Sequence, residues 1–368
     1  MQHTHTDVLI IGGGPAGTST AISLLKYGKD LSVTLVEQSN LNQIRVGEHV
    51  SPSIFDLLGY LGLERDSFDE GCFLQNFGTT SYWGSDIPMV RDAIFTAEKP
   101  TCQLDRAIFD MTLLKQVAEL GGMILPRTKC LGYEQLEDNS WLIKLQHIEK
   151  GPITIHATFL IDASGRQRSP SRQINIPSHK LDTLFGIGAF IEIKGRTLPN
   201  EQLIESTEHG WWYSATLNDN YSSTVFFTDT DIVSELELSK PANWNKLLQQ
   251  TKFIKERITG FNSSEITTWT RSAHTHISDL SAHNNFLAIG DSMAAFDPIS
   301  SMGIGFAISS GCNAASIAML QLTEPNPDRI SVYQNDVSRI FDHYLHMQKS
   351  IYSQEKRWPL SKFWNRRN

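Results

Sequence analysis

Cysteine chemistry has little to build on in this chain. Cys72, Cys102, Cys130 and Cys312 lie far apart and form no CxxC pair, so the spacing of a structural zinc site or a dithiol redox motif is missing. His209, His274 and His276 have no acid at ligand spacing, and no metal is expected. Long apolar runs are also lacking: no stretch approaches the ~20 residues of a membrane span. The first residues, MQHTHTDVLIIGGG, lack the basic, apolar and cleavage regions of a secretory signal. Free thiols without such segments point to the cytoplasm. Positive charge is scarce too. With a net charge of -8 and a pI near 5.8, a broad nucleic-acid-binding surface is not expected. The exception is the tail, where Lys356, Arg357, Lys362, Arg366 and Arg367 face only Glu355 within residues 350–368. There is no internal repeat and no low-complexity linker.

What is present begins at once. DVLII (7–11) reads as a strand, GGGPAG (12–17) as a turn, TSTAISLLKYG as a helix, and LSVTLVE as a second strand ending in Glu37. Strand, glycine turn, helix and strand make a βαβ unit. Gly12, Gly14 and Gly17 supply G-x-G-x-x-G: a tight turn, room for a pyrophosphate, and close helix packing. Pro15 and Ala16 open the helix, whose free N–H groups face the phosphates. Glu37 stands where an acid accepts hydrogen bonds from an adenosine ribose.

A later segment, FLAIGDSMAAFDPISSMGIGF (286–306), narrows the dinucleotide to a flavin. A strand runs into Gly290 and Asp291, the latter expected as a buried acceptor for a ribityl hydroxyl. Asp297-Pro298 precedes Gly303, Ile304 and Gly305, where bare backbone N–H groups can approach the ring on which negative charge develops. Helices are expected over 53–63, 104–120, 302–320 and 327–350, and a mostly β region over about 180–280. The expected architecture is α/β. A discontinuous nucleotide-binding domain (1–75, 100–170 and 280–325) is interleaved with a mostly β substrate domain (76–99 and 171–279), followed by a helical segment with the basic tail (326–368).

These motifs, in this order, resemble the FAD-dependent flavoproteins of the para-hydroxybenzoate hydroxylase fold, in the branch of the tryptophan halogenases and geranylgeranyl reductases. The resemblance spans nearly the whole chain. It implies that GGGPAG and Glu37 hold FAD, that RVGEHVSPS brings Arg45, Val46 and Gly47 to the cofactor, and that Arg106 lies near its phosphates. IDASG (161–165) matches a mid-chain element of that family, although Asp162 can equally cap its own turn. Two departures argue against halogenation. No lysine occurs between Lys29 and Lys99, and GWWYSA (210–215) stands where the halogenases carry W-x-W-x-I-P. A second nicotinamide-binding G-x-G-x-x-G unit is absent, which leaves open a separate flavin reductase or other electron donor.

A narrower resemblance is to the flavoproteins encoded beside the lysine and glycine oxidases that carry cysteine tryptophylquinone. It rests on the short length, on GWWYSA and on the ending RWPLSKFWNRR. It implies a monooxygenase that modifies a tryptophan of a precursor of a quinoprotein amino-acid oxidase. Trp211, Trp212 and Tyr213, with Tyr82 and Trp83, would line the approach. His49, beside Glu48, would assist proton transfer at its ordinary pKa. A hydroxylase of a small aromatic metabolite, a reductase and a non-catalytic maturation factor remain open alternatives.

Overall fold

The computed structural model describes residues 3–41, 45–46, 49–76, 78–92, 101–192, 198–218, 221–258, 267–280 and 285–368. In chain order its strands are β1 (His3–Ile11), β2 (Val33–Val36), β3 (His49–Val50), β4 (Phe73–Asn76), β5 (Gly78–Tyr82), β6 (Met89–Asp92), β7 (Thr101–Leu104), β8 (Met123–Leu125), β9 (Thr128–Gln135), β10 (Trp141–His147), β11 (Gly151–Asp162), β12 (Ser178–Lys180), β13 (Leu184–Glu192), β14 (Glu201–Thr207), β15 (Gly210–Asn218), β16 (Tyr221–Asp229), β17 (Thr268–Ser272), β18 (His276–Ser278), β19 (Phe286–Ala288) and β20 (Ala294–Ala295).

Val8, Leu9 and Ile10 have no exposed surface. A strand so apolar on both faces belongs at the centre of a parallel sheet. Accordingly β1 lies between β2 and β11, all parallel, in the order β8-β2-β1-β11-β10-β9. β11 divides its other edge between the antiparallel β10 and the parallel β19, with Asp162 opposite Ala288. This division carries the chain from residue 162 and from residue 288 to the end of β1, where the glycine turn lies. The helix Pro15–Tyr27 packs against the helix Gly303–Thr323. Gly311 makes that approach possible: a Cβ there would stand 2.4 Å from Ser19 Oγ and 2.6 Å from the Ala16 carbonyl.

The second large sheet has the order β17-β13-β16-β15-β14-β5-β6 and is antiparallel except between β14 and β5. Strands β3-β7-β4 and β12-β18-β20 form two small sheets beside the large ones. The region 180–280 is less purely β than expected. The helices Thr230–Glu235, Pro241–Leu248 and Phe253–Arg257 cover one face of the second sheet. Pro241 opens the middle helix, and Trp244 and Leu248, one turn apart, bury its inner face.

The helix Gly303–Thr323 has 21 residues, and an 18-residue window of it has a mean hydropathy of 1.4, long and apolar enough to cross a membrane by length and composition alone. Its apolar character matches its packing, since half of that stretch is buried against the rest of the fold. The basic tail is not an open positive patch. Arg366 pairs with Asp229 at 2.9 Å and with Asp231 at 2.6 Å, and Arg367 with Asp229 at 2.7 Å. Arg357 pairs with Glu355 at 2.6 Å and with Asp86 at 2.8 Å, and Lys362 pairs with Glu235. Most of these acids belong to the second sheet and its connections, so the tail clasps that lobe. Its Phe363 and Trp364 are fully buried there.

Candidate functional site

The turn after β1 shows why three glycines stand where they do. Gly12 has φ +120°, and a Cβ on it would lie 2.2 Å from the Ala163 carbonyl oxygen. A Cβ on Gly17 would lie 1.9 Å from the Gly12 carbonyl. Both glycines are demanded by the protein itself. Gly14 is different: its φ of −81° suits any residue, and nothing lies within 4 Å of its Cβ position. Gly14 caps the helix Pro15–Tyr27 without any side-chain hydrogen bond. The first N–H groups of that helix therefore open onto empty space, as an anion-binding helix terminus requires.

That space has two lobes. One, about 460 Å³, is bounded by Gly12, Gly14, Glu37, Arg45, Ser164 and Gln167. Glu37 accepts hydrogen bonds from the N–H of Gly13 at 2.8 Å and of Ser39 at 2.7 Å, which fix its carboxylate at the end of β2. The other lobe, about 380 Å³, runs from Gly14, Pro15 and Ala16 past Val46, His49 and Arg106 to Pro298, Gly303 and Ile304. Gly14, Val46, Ala163, Gly165 and Arg271 border both lobes. Arg45 and Arg106 share one buried acid, Asp110, at 2.7 and 2.9 Å. Among the described residues, two guanidinium groups thus meet one carboxylate beside the helix terminus. Arg106 also donates to the Val46 carbonyl at 2.7 Å.

Several expected positions change meaning. Gly290, with φ +53°, serves packing, since a Cβ there would meet Ala16 Cβ at 2.9 Å. Asp291 faces the second lobe but is about one third exposed and lies 3.3 Å from Arg166. It is an ion-paired acceptor at the cavity wall and is not buried. Asp162 has no exposed surface and accepts from the N–H groups of Ser164 and Ser171, so it organises the turn. Gly303 and Ile304 begin a 21-residue helix that has no side-chain cap and opens at the cavity. Gly305 is one residue farther along and does not border it. Gly47 and Glu48 lie outside the described residues.

The aromatic segment splits by strand alternation. On β15, Trp211 and Tyr213 face the second lobe, beside Phe227 and Trp269. Trp212 faces the opposite side of the sheet, packed against Phe226 and Trp244, because successive side chains on a strand point to opposite faces. Tyr82 stacks on Phe253, also away from the cavity. Trp83 packs behind Trp211 and donates to the Ile351 carbonyl. Trp212, Tyr82 and Trp83 are therefore corrected from lining to packing residues.

His49 borders the second lobe, with Nδ1 3.0 Å from Ser301 Oγ and Nε2 buried without a partner among the described residues. Burial pushes its pKa down to about 4. At neutral pH it is a neutral imidazole, in place of the near-neutral titrating group expected. Across β3 and β7 it is registered with Gln103, whose Oε1 accepts from Tyr213 Oη at 3.3 Å.

Sequence reasoning missed four residues here. Arg166 donates to the Phe296 carbonyl and keeps a buried, unpartnered Nε at the cavity. Arg271 stands between the lobes. Gln103, just before the helix expected over 104–120, carries no signal of its own in the sequence and lies on β7. Asp297 was read as turn, yet it borders the cavity, is fully buried, and accepts from Tyr352 Oη at 2.7 Å and Gln348 Nε2 at 3.1 Å. Its burial raises its pKa. The cysteines offer no nucleophile: burial raises all four, Cys72 and Cys130 to about 12.

An uncapped helix terminus, an open glycine, paired arginines and orphaned polar atoms around two joined lobes fit an extended dinucleotide with a planar ring at one end. Comparison with known proteins agrees. A family described as an FAD binding domain matches residues 5–346. LodB of Marinomonas mediterranea, named as an FAD-dependent oxidoreductase, is 40% identical over 362 residues, covering 98% of this chain and 96% of its own. Among solved structures, the flavin-dependent halogenase CmlS superposes with a TM-score of 0.87 at 21% identity, covering 99% of this chain and 68% of that one. The structure of QhpG, described as a peptidyl tryptophan dihydroxylase essential for tryptophylquinone cofactor biogenesis, superposes with a TM-score of 0.79 at 19% identity, covering 99% and 79%. With its cofactor FAD, this chain belongs to the FAD-binding-domain family of flavin-dependent oxidoreductases, in the branch that includes LodB.

Proposed function

We propose that this flavoenzyme oxygenates a tryptophan side chain of a partner protein, the precursor of a quinoprotein amino-acid oxidase, during formation of its tryptophylquinone. The observation that carries this reading is the aromatic-walled lobe continuous with the pyrophosphate cradle. Trp211, Tyr213, Phe227 and Trp269 offer flat apolar faces of the size an indole needs. The nearly full-length likeness to LodB supports it, as does the shared fold with a protein described as a peptidyl tryptophan dihydroxylase.

Bound FAD, once reduced, supplies the electrons that activate dioxygen, chemistry that no side chain here provides. The chain's own residues bind and orient. The N–H groups after Gly14 and the Arg45–Arg106–Asp110 group hold the pyrophosphate, and Glu37 meets the adenosine ribose. The N–H groups at the uncapped start of the helix Gly303–Thr323 would stabilise negative charge on the reduced ring. The aromatic wall aligns the acceptor ring and excludes water. His49 stays neutral above about pH 4 and offers a hydrogen bond at Nε2, while Ser301 holds its other nitrogen. It positions, and is a weak base at neutral pH.

The test is to co-express the oxidase precursor with and without this protein and follow the cofactor tryptophan by peptide mass spectrometry. Added oxygen is expected only with the FAD-binding protein present. Full oxygenation in its absence, with no other maturation enzyme, would overturn the reading. Oxygenation that persists with an FAD-free variant would assign a chaperone role instead.

A further inference from the structure

Behind the cavity wall lies a file of indoles that the binding site does not require. Trp211 borders the cavity. Its ring centroid is 6.3 Å from that of Trp83, Trp83 is 5.3 Å from Trp364, and Trp364 is 6.2 Å from Trp358. The first three are at most 9% exposed, whereas Trp358 is partly exposed at the surface. The four residues come from three separated parts of the chain and meet only because the C-terminal tail closes over the second sheet. Each interior indole N–H has an oxygen acceptor: Trp211 donates to Tyr352 Oη at 3.0 Å, Trp83 to the Ile351 carbonyl at 2.9 Å, and Trp364 to the Thr207 carbonyl at 2.9 Å.

We propose that Trp211, Trp83, Trp364 and Trp358 form a hole-transfer route that carries oxidising equivalents from the flavin cavity to the protein surface when no substrate ring is present to consume them. The oxidant would be a flavin-bound peroxide, of the class that adds oxygen to aromatic rings. Its O–O bond takes two electrons and two protons and leaves oxidised flavin and water. Trp211 supplies the electrons one at a time, and Trp83, Trp364 and Trp358 refill each vacancy in turn. At the surface, two thiols in solution return the two electrons to Trp358, release two protons and become a disulfide.

The direction follows from solvation. An indole radical cation is costly in the dry interior and least costly at Trp358, where water screens it and accepts the proton. The N–H acceptors along the file stabilise the passing charge. Arg357 lies 4.4 Å over the Trp358 ring and opposes a cation there, but its own charge is met by Glu355 at 2.6 Å and Asp86 at 2.8 Å. The route does not serve electron entry, because indole is far harder to oxidise than a flavin reductant. The inference rests on FAD binding alone and is independent of which ring the enzyme oxygenates.

The experiment uses the FAD-loaded full chain. A laser pulse makes the oxidised flavin a strong one-electron oxidant, and transient absorption follows the tryptophanyl radical. A long-lived radical is expected in the parent protein. Trp83→Phe should remove the long-lived signal. Trp358→Phe, a change at a partly exposed site that spares the interior packing, should shorten its lifetime by at least an order of magnitude. Trp212→Phe, on the other face of β15, should leave it unchanged. As a second readout, reoxidising the reduced protein in air without substrate should place oxygen on the Trp358 peptide, and Trp83→Phe should abolish that mark. A radical that decays identically in the parent, Trp83→Phe and Trp358→Phe proteins would show that the file is packing only. If Trp83→Phe does not fold, the lifetime in Trp358→Phe decides.

Discussion

The two lobes of the cavity are built on opposite terms. Around the glycine turn after β1, backbone does most of the work: glycine conformations and a helix terminus, joined by a few charged side chains. Around the second lobe, large aromatic side chains do the work, contributed by β15, β16 and β17 and backed by a tail more than a hundred residues beyond β15 and β16. The first kind of site tolerates almost no change of shape at its glycines but is local. The second tolerates shape changes better, because side chains repack, yet it depends on contacts distant in the chain.

The strongest way to break that comparison is at the glycines. Gly17→Val should destabilise the protein by more than about 4 kcal/mol, because the new Cβ overlaps a carbonyl that cannot move. Gly14→Val should fold normally and lose FAD, because its Cβ points into open space. Far-UV circular dichroism with FAD titration separates the two. Equal behaviour would mean that Gly14 is structural, like its neighbours.

Next in size is the clasp. Asp229 is 2% exposed between Arg366 and Arg367. Burial pushes its pKa up, but the two guanidinium groups outweigh this and lower it overall. Asp229→Ala leaves Arg367 buried without its main partner and should cost about 3–5 kcal/mol in urea unfolding. A cost under 1 kcal/mol would mean that the tail is merely apposed.

A smaller effect concerns acid stability. His276 is 1% exposed, neither ring nitrogen has a hydrogen-bond partner among the described residues, and burial, reinforced by His274 and nearby cations, pushes its pKa down to about 3. The unfolded chain takes up a proton near pH 6.5, while the folded chain does not until about pH 3. Stability is therefore lost as pH falls from about 6.5 to about 3, and nothing changes above that window. His274 and His49, both lowered to about 4, add loss over the upper part of the same window. His276→Leu should flatten the fall of the urea midpoint between pH 7 and pH 4, an effect of a few kcal/mol at most. An unchanged slope would remove His276 from the account.

The smallest expected change sharpens the alternation of β15. Tyr213→Phe removes the hydroxyl that meets Gln103 at the cavity and should lower kcat/KM by about tenfold, roughly 1.4 kcal/mol. Trp212→Phe should cost stability and leave kcat/KM unchanged. The reverse pattern would show that the sheet is read on the wrong face.

The legibility of each region follows from the same contrast. GGGPAG, Glu37 and the 286–306 segment could be read in advance because their geometry is local: a turn of given φ and a helix start a few residues later are decided by neighbouring residues. Arg166 and Arg271 were not readable, since nothing in RQR or WTRS marks a cavity. The run Trp211-Trp212-Tyr213 shows the limit clearly. A period of two guarantees that Trp212 differs in face from its neighbours, but not which face borders the cavity; packing of the Pro241–Leu248 helix on Trp212 decides that. The basic tail misled for a similar reason, because its partners Asp231, Asp229 and Asp86 lie between 135 and 271 residues upstream of the arginines they pair with. The sequence by itself determined the parallel βαβ unit, the glycine turn after its first strand and the cofactor class, all consequences of short-range backbone sterics. Only the tertiary structure decided which aromatics wall the cavity, how far burial moves His49 from its ordinary pKa, and that the tail is a neutralised clasp, because burial and ion pairing are set by long-range contacts that no local pattern encodes.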